Sequence, residues 1–354
     1  MAQAQRILIV RLSALGDLVF CTSLLEGLRR AWPDAAIDWL AQTGFAGLLR
    51  DDPRIARVIA TPRPALSSPA ALWRLRKALR GRRYDLVIDA QGLAKSRLLA
   101  WLAGGERRVG FCSKEPLGWL LHEQIDKGGD IADIASEYRY LAERLTGTPA
   151  GPPQLPVTPA ATERVQAAMQ AAAVEPGFIA LCPFTTRAQK HWPDAYWPEL
   201  ARLLAEAGLG RCAVLGGPAD RAPADALVAQ MPPGSLSLAG ATALPDLPAW
   251  LAQAALVIGV DTGLTHIGIA AGTPTIALFG STCPYTRGAD SPLTVLYDAL
   301  PCAPCKRHPT CAGAYTCMRQ LTPQRVAQAA RALLARPIGV APGRDRGPEP
   351  GAGE

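Results

Sequence analysis

The chain has 354 residues, 49% of them hydrophobic and 19% charged, with 33 glycines and 32 prolines. That balance excludes a disordered polymer, and the length predicts two domains. A net charge of +7 favours anionic partners: a nucleotide, a phosphorylated substrate, an anionic membrane surface or nucleic acid.

Strands are predicted first over Arg6–Val10, Ala36–Leu40, Val58–Ala60, Leu86–Asp89 and Arg108–Gly110. The run Ile7 to Val10 is too short for a secretory signal, and Arg11 interrupts it. Between the first two strands, Leu18, Leu24, Leu25 and Leu28 recur at helical spacing, and Trp32-Pro33-Asp34 stops that helix. Strands separated by helices mean a parallel sheet. A helix over Ala70–Leu79 puts Leu72, Leu75 and Leu79 on one face. Its other face and the following turn carry Arg74, Arg76, Lys77, Arg80, Arg82 and Arg83. That basic face is either a solvated surface or a site for a polyanion or anionic lipid.

Gly147–Pro159, with five prolines and two glycines, reads as an interdomain linker. Strands resume at Phe178–Cys182, Cys212–Leu215, Leu256–Val260, Thr275–Phe279 and Thr294–Leu296, and Pro323–Leu334 is a final helix. The stretch Thr262–Thr286 lacks Asp, Glu, Lys and Arg and has the length of a membrane span. It holds Gly, Pro, Thr and His throughout, so it reads as a buried helix followed by a buried strand. A soluble cytoplasmic protein is expected, with a disordered tail at 337–354. A short echo links Leu86–Leu93 to Leu256–Leu264 and fits two similar lobes.

Of the nine cysteines, Cys21, Cys112, Cys182, Cys212 and Cys283 are scattered, while Cys302, Cys305, Cys311 and Cys317 cluster. Such a cluster in a reducing compartment suggests zinc or a redox pair. The second pair lacks the tight gap of a structural zinc site. The reading is a cysteine-rich surface loop, open to a labile disulfide, with no metal and no cofactor.

Two apolar strands run into glycine-containing turns with a carboxylate: Val10 into Gly16-Asp17, and Val260 into Asp261-Thr262-Gly263-Leu264-Thr265-His266. Ligands of open parallel sheets sit at such strand ends. The first turn lacks the Lys-Ser/Thr of a P-loop and the later glycines of a dinucleotide fingerprint. Asp17 is therefore either a helix cap or a general base for an attacking hydroxyl. Thr185, Thr186, Arg187 and Lys190 suit a diphosphate, or form an exposed basic loop, with Trp192 packing. The N–H groups and hydroxyls at Thr262 and Gly263 would hold an anion. Asp261 suits a sugar hydroxyl or holds a partner residue. His266 binds phosphate or is a satisfied core residue. Asp220 suits ribose hydroxyls.

Ordered runs carry a resemblance: Ile7–Asp17, Val87–Ser96, Lys114-Glu115-Pro116, Thr185–Pro193, Asp261–His266 and Phe279–Thr282. Together they resemble the lipopolysaccharide heptosyltransferases, glycosyltransferase family nine. The Asp89–Leu93 and Lys190–Pro193 runs are most similar to the type I members, which add the first heptose to the Kdo-lipid A inner core. The cysteine cluster is more similar to type II members.

The resemblance implies an α/β chain with a GT-B fold: two Rossmann-like lobes with parallel sheets, an interlobe cleft, and the last helix crossing back to the first lobe. It implies an acceptor lobe at 1–155 and a nucleotide-sugar lobe at 156–336. It also implies ADP-heptose as donor, a Kdo-lipid A acceptor, an anionic inner-membrane surface and a metal-independent inverting displacement. Asp17 then matches the base, and Lys190 the diphosphate lysine. Asp220 stands where the family has a ribose-contacting glutamate, and Asp261 matches the heptose contact. Thr185, Thr186, Thr262, Gly263 and His266 fall in donor-phosphate loops. Ser13, Arg74, Arg76, Lys77, Lys95 and Lys114 fall on the acceptor side. A later core position, or nucleotide-sugar binding without transfer, are the alternatives. Nucleic acid is not expected, because the basic cluster lacks interleaved aromatics beyond Trp73.

Overall fold

A computed structural model describes residues 4–62, 68–282, 285–288, 292–305 and 308–335. Cys283 and the expected tail at 337–354 lie outside these residues. The first half runs β1 (Arg6–Val10), α1 (Leu15–Ala31), β2 (Ala36–Gln42), α2 (Thr43–Ala46), β3 (Arg57–Thr61), α3 (Pro69–Arg80), β4 (Leu86–Asp89), α4 (Ala94–Ala103), β5 (Arg107–Phe111), β6 (Glu123–Ile125) and α5 (Ser136–Thr146). The second half runs α6 (Pro159–Ala171), β7 (Ile179–Cys182), α7 (Tyr196–Glu206), β8 (Cys212–Val214), α8 (Arg221–Val228), β9 (Leu236–Ser237), α9 (Leu247–Ala252), β10 (Leu256–Val260), α10 (Gly263–Ala270), β11 (Thr275–Phe279), β12 (Leu293–Tyr297), α11 (Thr316–Arg319) and α12 (Pro323–Leu334).

Both sheets are parallel and share one strand order. The first is β3-β2-β1-β4-β5-β6 and the second β12-β11-β10-β7-β8-β9, the same doubly wound plan. The order reverses between β1 and β4 and between β7 and β10, so each sheet opens a crevice there at the C-terminal strand ends. The echo between Leu86–Leu93 and Leu256–Leu264 falls on β4 and β10, which are equivalent positions.

Period-two alternation explains the layers, since a parallel strand is covered on both faces. Ile7 and Ile9 point into the core under α1 and α5, while Leu8 and Val10 point into the core under α3 and α4. In the second sheet, Ile179 and Leu181 pack with α7 and α12, and Ala180 and Cys182 with α6 and α9. The cores also join across the lobes. Ile269, Phe279 and Tyr285 of the second lobe belong to the first core, and Val19 of α1 belongs to a core of the second.

Several expectations change. Two short edge strands, β6 and β9, were not predicted. The proline-rich stretch is tethered: Gly151 N–H donates to Glu26, Gln154 N–H to Thr22, and Leu155 N–H to the Ala270 carbonyl. Thr158 caps α6, with Pro159 at its first position. The last described helix does not cross back. Among the described residues α12 packs on α7, β11 and β12, because Val326, Ala330 and Leu333 form an apolar stripe matched to the second core. The charge-free stretch meets its expectation instead: it forms the helix α10 and the strand β11, both buried. Among the described residues no helix is long and apolar enough to cross a membrane.

Candidate active site

After β1 the chain turns at Arg11–Ala14, and Asp17 occupies the third position of α1. Its Oδ2 accepts a hydrogen bond from Ala14 N–H at 3.1 Å and pairs with Arg11 at 2.6 Å. The helix-cap reading of Asp17 therefore holds. Both contacts fall on Oδ2, and Oδ1 has no hydrogen-bond partner among the described residues. The Asp17 side chain is 44% exposed, whereas that of Arg11 is 8% exposed. The cation is thus an internal fixture and the anion faces the cleft. Arg11 also donates to the Ala90 carbonyl at 3.1 Å, tying the end of β1 to the end of β4. The neighbouring Asp89 is buried, which pushes its carboxyl up. Hydrogen bonds from the Gly92 and Gln91 N–H groups act against that shift.

At the second switch point, β7 leads into the Thr185–Lys190 loop and β10 into Asp261. The Asp261 carboxylate gathers three partners. Lys190 Nζ lies 2.5 Å from Oδ2, Thr282 Oγ1 donates to Oδ2 at 2.6 Å, and His266 Nε2 lies 3.3 Å from Oδ1. Burial alone would raise the Asp261 carboxyl, but His266 and Lys190 outweigh it and hold the group well below the usual carboxylate range. His266 Nδ1 meets the Tyr285 hydroxyl at 2.8 Å. A proton on Nε2, donated to Asp261, with Tyr285 donating to Nδ1, satisfies both contacts. Tyr285 stays protonated, its hydroxyl raised by burial and by Asp261. Trp192 is a packing residue, donating to the Leu321 carbonyl at 2.7 Å and packing edge-on against Trp197.

The two switch points face one cavity of about 940 Å³, within the range that encloses a small ligand. Its walls include Asp17 from the first lobe, and Thr185, Thr186, Lys190, Asp220, Asp261, Thr262, Gly263 and His266 from the second. Asp220 also accepts a hydrogen bond from Gly217 N–H at 2.8 Å, shaping its own turn. The six acceptor-side residues lie outside this wall. Ser13 adjoins the lining residue Ala14, Lys95 is the second residue of α4, Lys114 follows β5, and Arg74, Arg76 and Lys77 lie on α3. Arg11, Phe20, Thr282 and Tyr285 were not singled out from the sequence. In the sequence Arg11 is the charge that interrupts the first apolar run and a member of the Ile7–Asp17 motif, and Thr282 ends the Phe279–Thr282 motif.

Two glycines are among the places where the lobes touch. A Cβ on Gly16 would stand 2.6 Å from His266 Cδ2, and one on Gly263 would stand 2.6 Å from Leu15 Cδ2. Phe20 packs against His266 with its ring tilted, the ring centroids 4.6 Å apart. Gly16→Ala should therefore destabilise the protein by about 1–3 kcal/mol, the usual cost of overpacking. Thermal unfolding reads this directly, and an unchanged midpoint would mean that the lobes do not meet there.

Of the clustered cysteines, Cys302 is exposed, Cys305 and Cys311 are half-buried and Cys317 is buried. Among the described residues, no group of three or more His, Cys, Asp or Glu is gathered to hold a metal ion. Cys182 and Cys212 are buried thiols pushed up to about 12 by loss of solvent.

The model for glycosyltransferase family 9 (heptosyltransferase) matches residues 72–316. Lipopolysaccharide heptosyltransferase 1 of Pseudomonas aeruginosa is 33% identical over 94% of this chain and 99% of its own length. A family 9 glycosyltransferase structure from Veillonella parvula superposes with a TM-score of 0.84 at 21% identity, covering 94% of this chain and 98% of that one. An E. coli heptosyltransferase solved with ADP-2-deoxy-2-fluoro heptose gives 0.68 at 28% identity, covering 92% and 99%. That relative has the GT-B fold, and the twin doubly wound sheets with their shared cleft are its architecture. With the family model spanning most of its length and a relative matched nearly end to end, the chain belongs to glycosyltransferase family 9, the heptosyltransferases.

Proposed function

We propose that this chain transfers L-glycero-D-manno-heptose from ADP-heptose to the Kdo-lipid A inner core of lipopolysaccharide, at the cytoplasmic face of the inner membrane. The observation that carries this reading is the shared cavity. It sets a half-anchored carboxylate, Asp17, opposite a cation-bearing anion site, Lys190 with Asp261 and His266. Residues 1–155 take the acceptor in this reading, and residues 156–336 take the donor.

The chemistry is an inverting single displacement. The acceptor hydroxyl attacks the anomeric carbon as its proton passes to Asp17. The bond from that carbon to the diphosphate oxygen breaks, and ADP leaves with the electron pair. Fixing Oδ2 through Arg11 and Ala14 leaves Oδ1 as the proton acceptor. Lys190 is held on Asp261 and can turn to the diphosphate, where it offsets the charge that builds on the leaving group. Asp220 faces the ribose hydroxyls. Asp261, whose three protein partners leave one of its roughly four acceptor positions open, serves the heptose hydroxyls.

ADP release tests this, with Kdo₂-lipid A and a mono-heptosylated acceptor run side by side. Turnover on the Kdo₂ acceptor is expected, in keeping with the type I name of the Pseudomonas relative. Turnover on the heptosylated acceptor alone would move the enzyme to a later core position. Donor binding without turnover on either would remove transfer altogether.

A further inference from the structure

Five of the chain's eight tryptophans are buried: Trp32, Trp39, Trp192, Trp197 and Trp250. The other three are Trp73 at 60% exposure, Trp101 at 39% and Trp119 at 79%. They sit on three neighbouring pieces of the first lobe. Trp73 is on α3, Trp101 on α4 and Trp119 in the helical turn Gly118–Leu120. α4 packs against both α3 and that turn. Leu72, Leu75 and Leu79 of α3 and Leu99 and Leu102 of α4 fill the same core cluster on one face of the first sheet. The outward faces of the two helices therefore point to the same side of the lobe.

Neither helix contains an acidic residue. Arg74, Lys77, Arg80 and Lys95 are exposed there, and Lys77 Nζ lies 5.5 Å from the Trp73 ring centroid. Exposed indoles lose water-contacting apolar surface when they enter a bilayer interface, and their N–H finds partners at headgroup level. Exposed lysine and arginine draw the same surface toward anionic lipid.

We propose that this face of α3, α4 and the Gly118–Leu120 turn is the surface by which the first lobe lies on an anionic bilayer, with Trp73, Trp101 and Trp119 as the inserted anchors. α4 starts at the cleft end of β4, so Lys95 stands at the cleft side of this face. A bilayer seated here runs beside the cleft mouth. A lipid-anchored acceptor could then reach the cavity with its acyl chains still in the membrane. This last consequence rests on the functional reading above; the docking face does not.

The full chain is sedimented with phosphatidylcholine vesicles, with and without phosphatidylglycerol. Binding is expected only with phosphatidylglycerol, and it should fall as salt rises. The double variant W73A/W119A should lower vesicle affinity by about tenfold or more, since affinity follows buried apolar area. It should leave turnover on a deacylated, water-soluble acceptor unchanged. No binding of the wild type to the anionic vesicles would overturn the proposal, as would equal binding by the variant. Absence of wild-type turnover on the soluble acceptor would instead overturn the functional reading, and the vesicle result would still decide the docking face.

Discussion

Asp17→Asn should leave ADP-heptose affinity near that of the wild type and cut turnover by about 10²–10⁴, the range for loss of a general base. The amide preserves shape. Its oxygen can still accept from Ala14 N–H, and the side chain is 44% exposed, so little packing is at stake. What changes is the capacity to take a proton, and with it the charge opposite Arg11. Isothermal titration with the donor and single-turnover kinetics separate the two effects. Turnover within threefold of wild type, by the measure of about 0.7 kcal/mol per threefold, would remove Asp17 from the role of base. A collapse of donor affinity would show that the residue organises the cavity instead.

Lys190→Ala should weaken both steps. A charge-assisted contact with the diphosphate is worth about 1.5–3 kcal/mol, or roughly 10–100-fold in donor affinity. A further loss in turnover follows if the lysine also offsets leaving-group charge. The same substitution removes one of the three partners of Asp261. Because the Asp261 carboxyl is held below its ordinary range in the fold, it stabilises the native state above the unfolded carboxylate pKa of about 4. That contribution is lost as pH falls through the depressed folded value. Urea midpoints measured from pH 5 down to pH 2, the range that runs from the unfolded value toward the depressed one, should therefore drop more steeply for wild type than for Lys190→Ala, where the cause of the depression is reduced. Parallel curves would mean that the ion pair contributes nothing to acid stability, and unchanged donor affinity would remove Lys190 from the diphosphate.

The central strands were legible because their residues are buried on both faces and read as continuous apolar runs: Ile7 to Val10, Leu256 to Val260 and Thr275 to Phe279. The edges were not. β6 is Glu-Gln-Ile and β9 is Leu-Ser, too short to show a period, and they are strands only because β5 and β8 offer open edges. For α12 the expectation came from kinship, and its own stripe of Val326, Ala330 and Leu333 fits the nearer core. The cavity wall was legible residue by residue, since each candidate follows a strand. The couplings were not. Asp261 meets Thr282 across 21 residues and His266 meets Tyr285 across 19, through the turn after β11. No local pattern encodes such pairs. The orienting partner of Asp17 is Arg11, six positions away on the far side of an irregular turn, and spacing alone does not join them.

The contact of Gly16 and Phe20 with His266 has a mechanical consequence. It does not act alone: Arg164 pairs with Asp51, Gly47 lies against Pro245, and Arg287 pairs with Asp130 and Asp133, each contact joining one lobe to the other. Two bodies held at several separated points are clamped, and neither can swing without parting some of those points. Opening of the cleft therefore requires partly exposed ion pairs to break, which makes its width sensitive to salt.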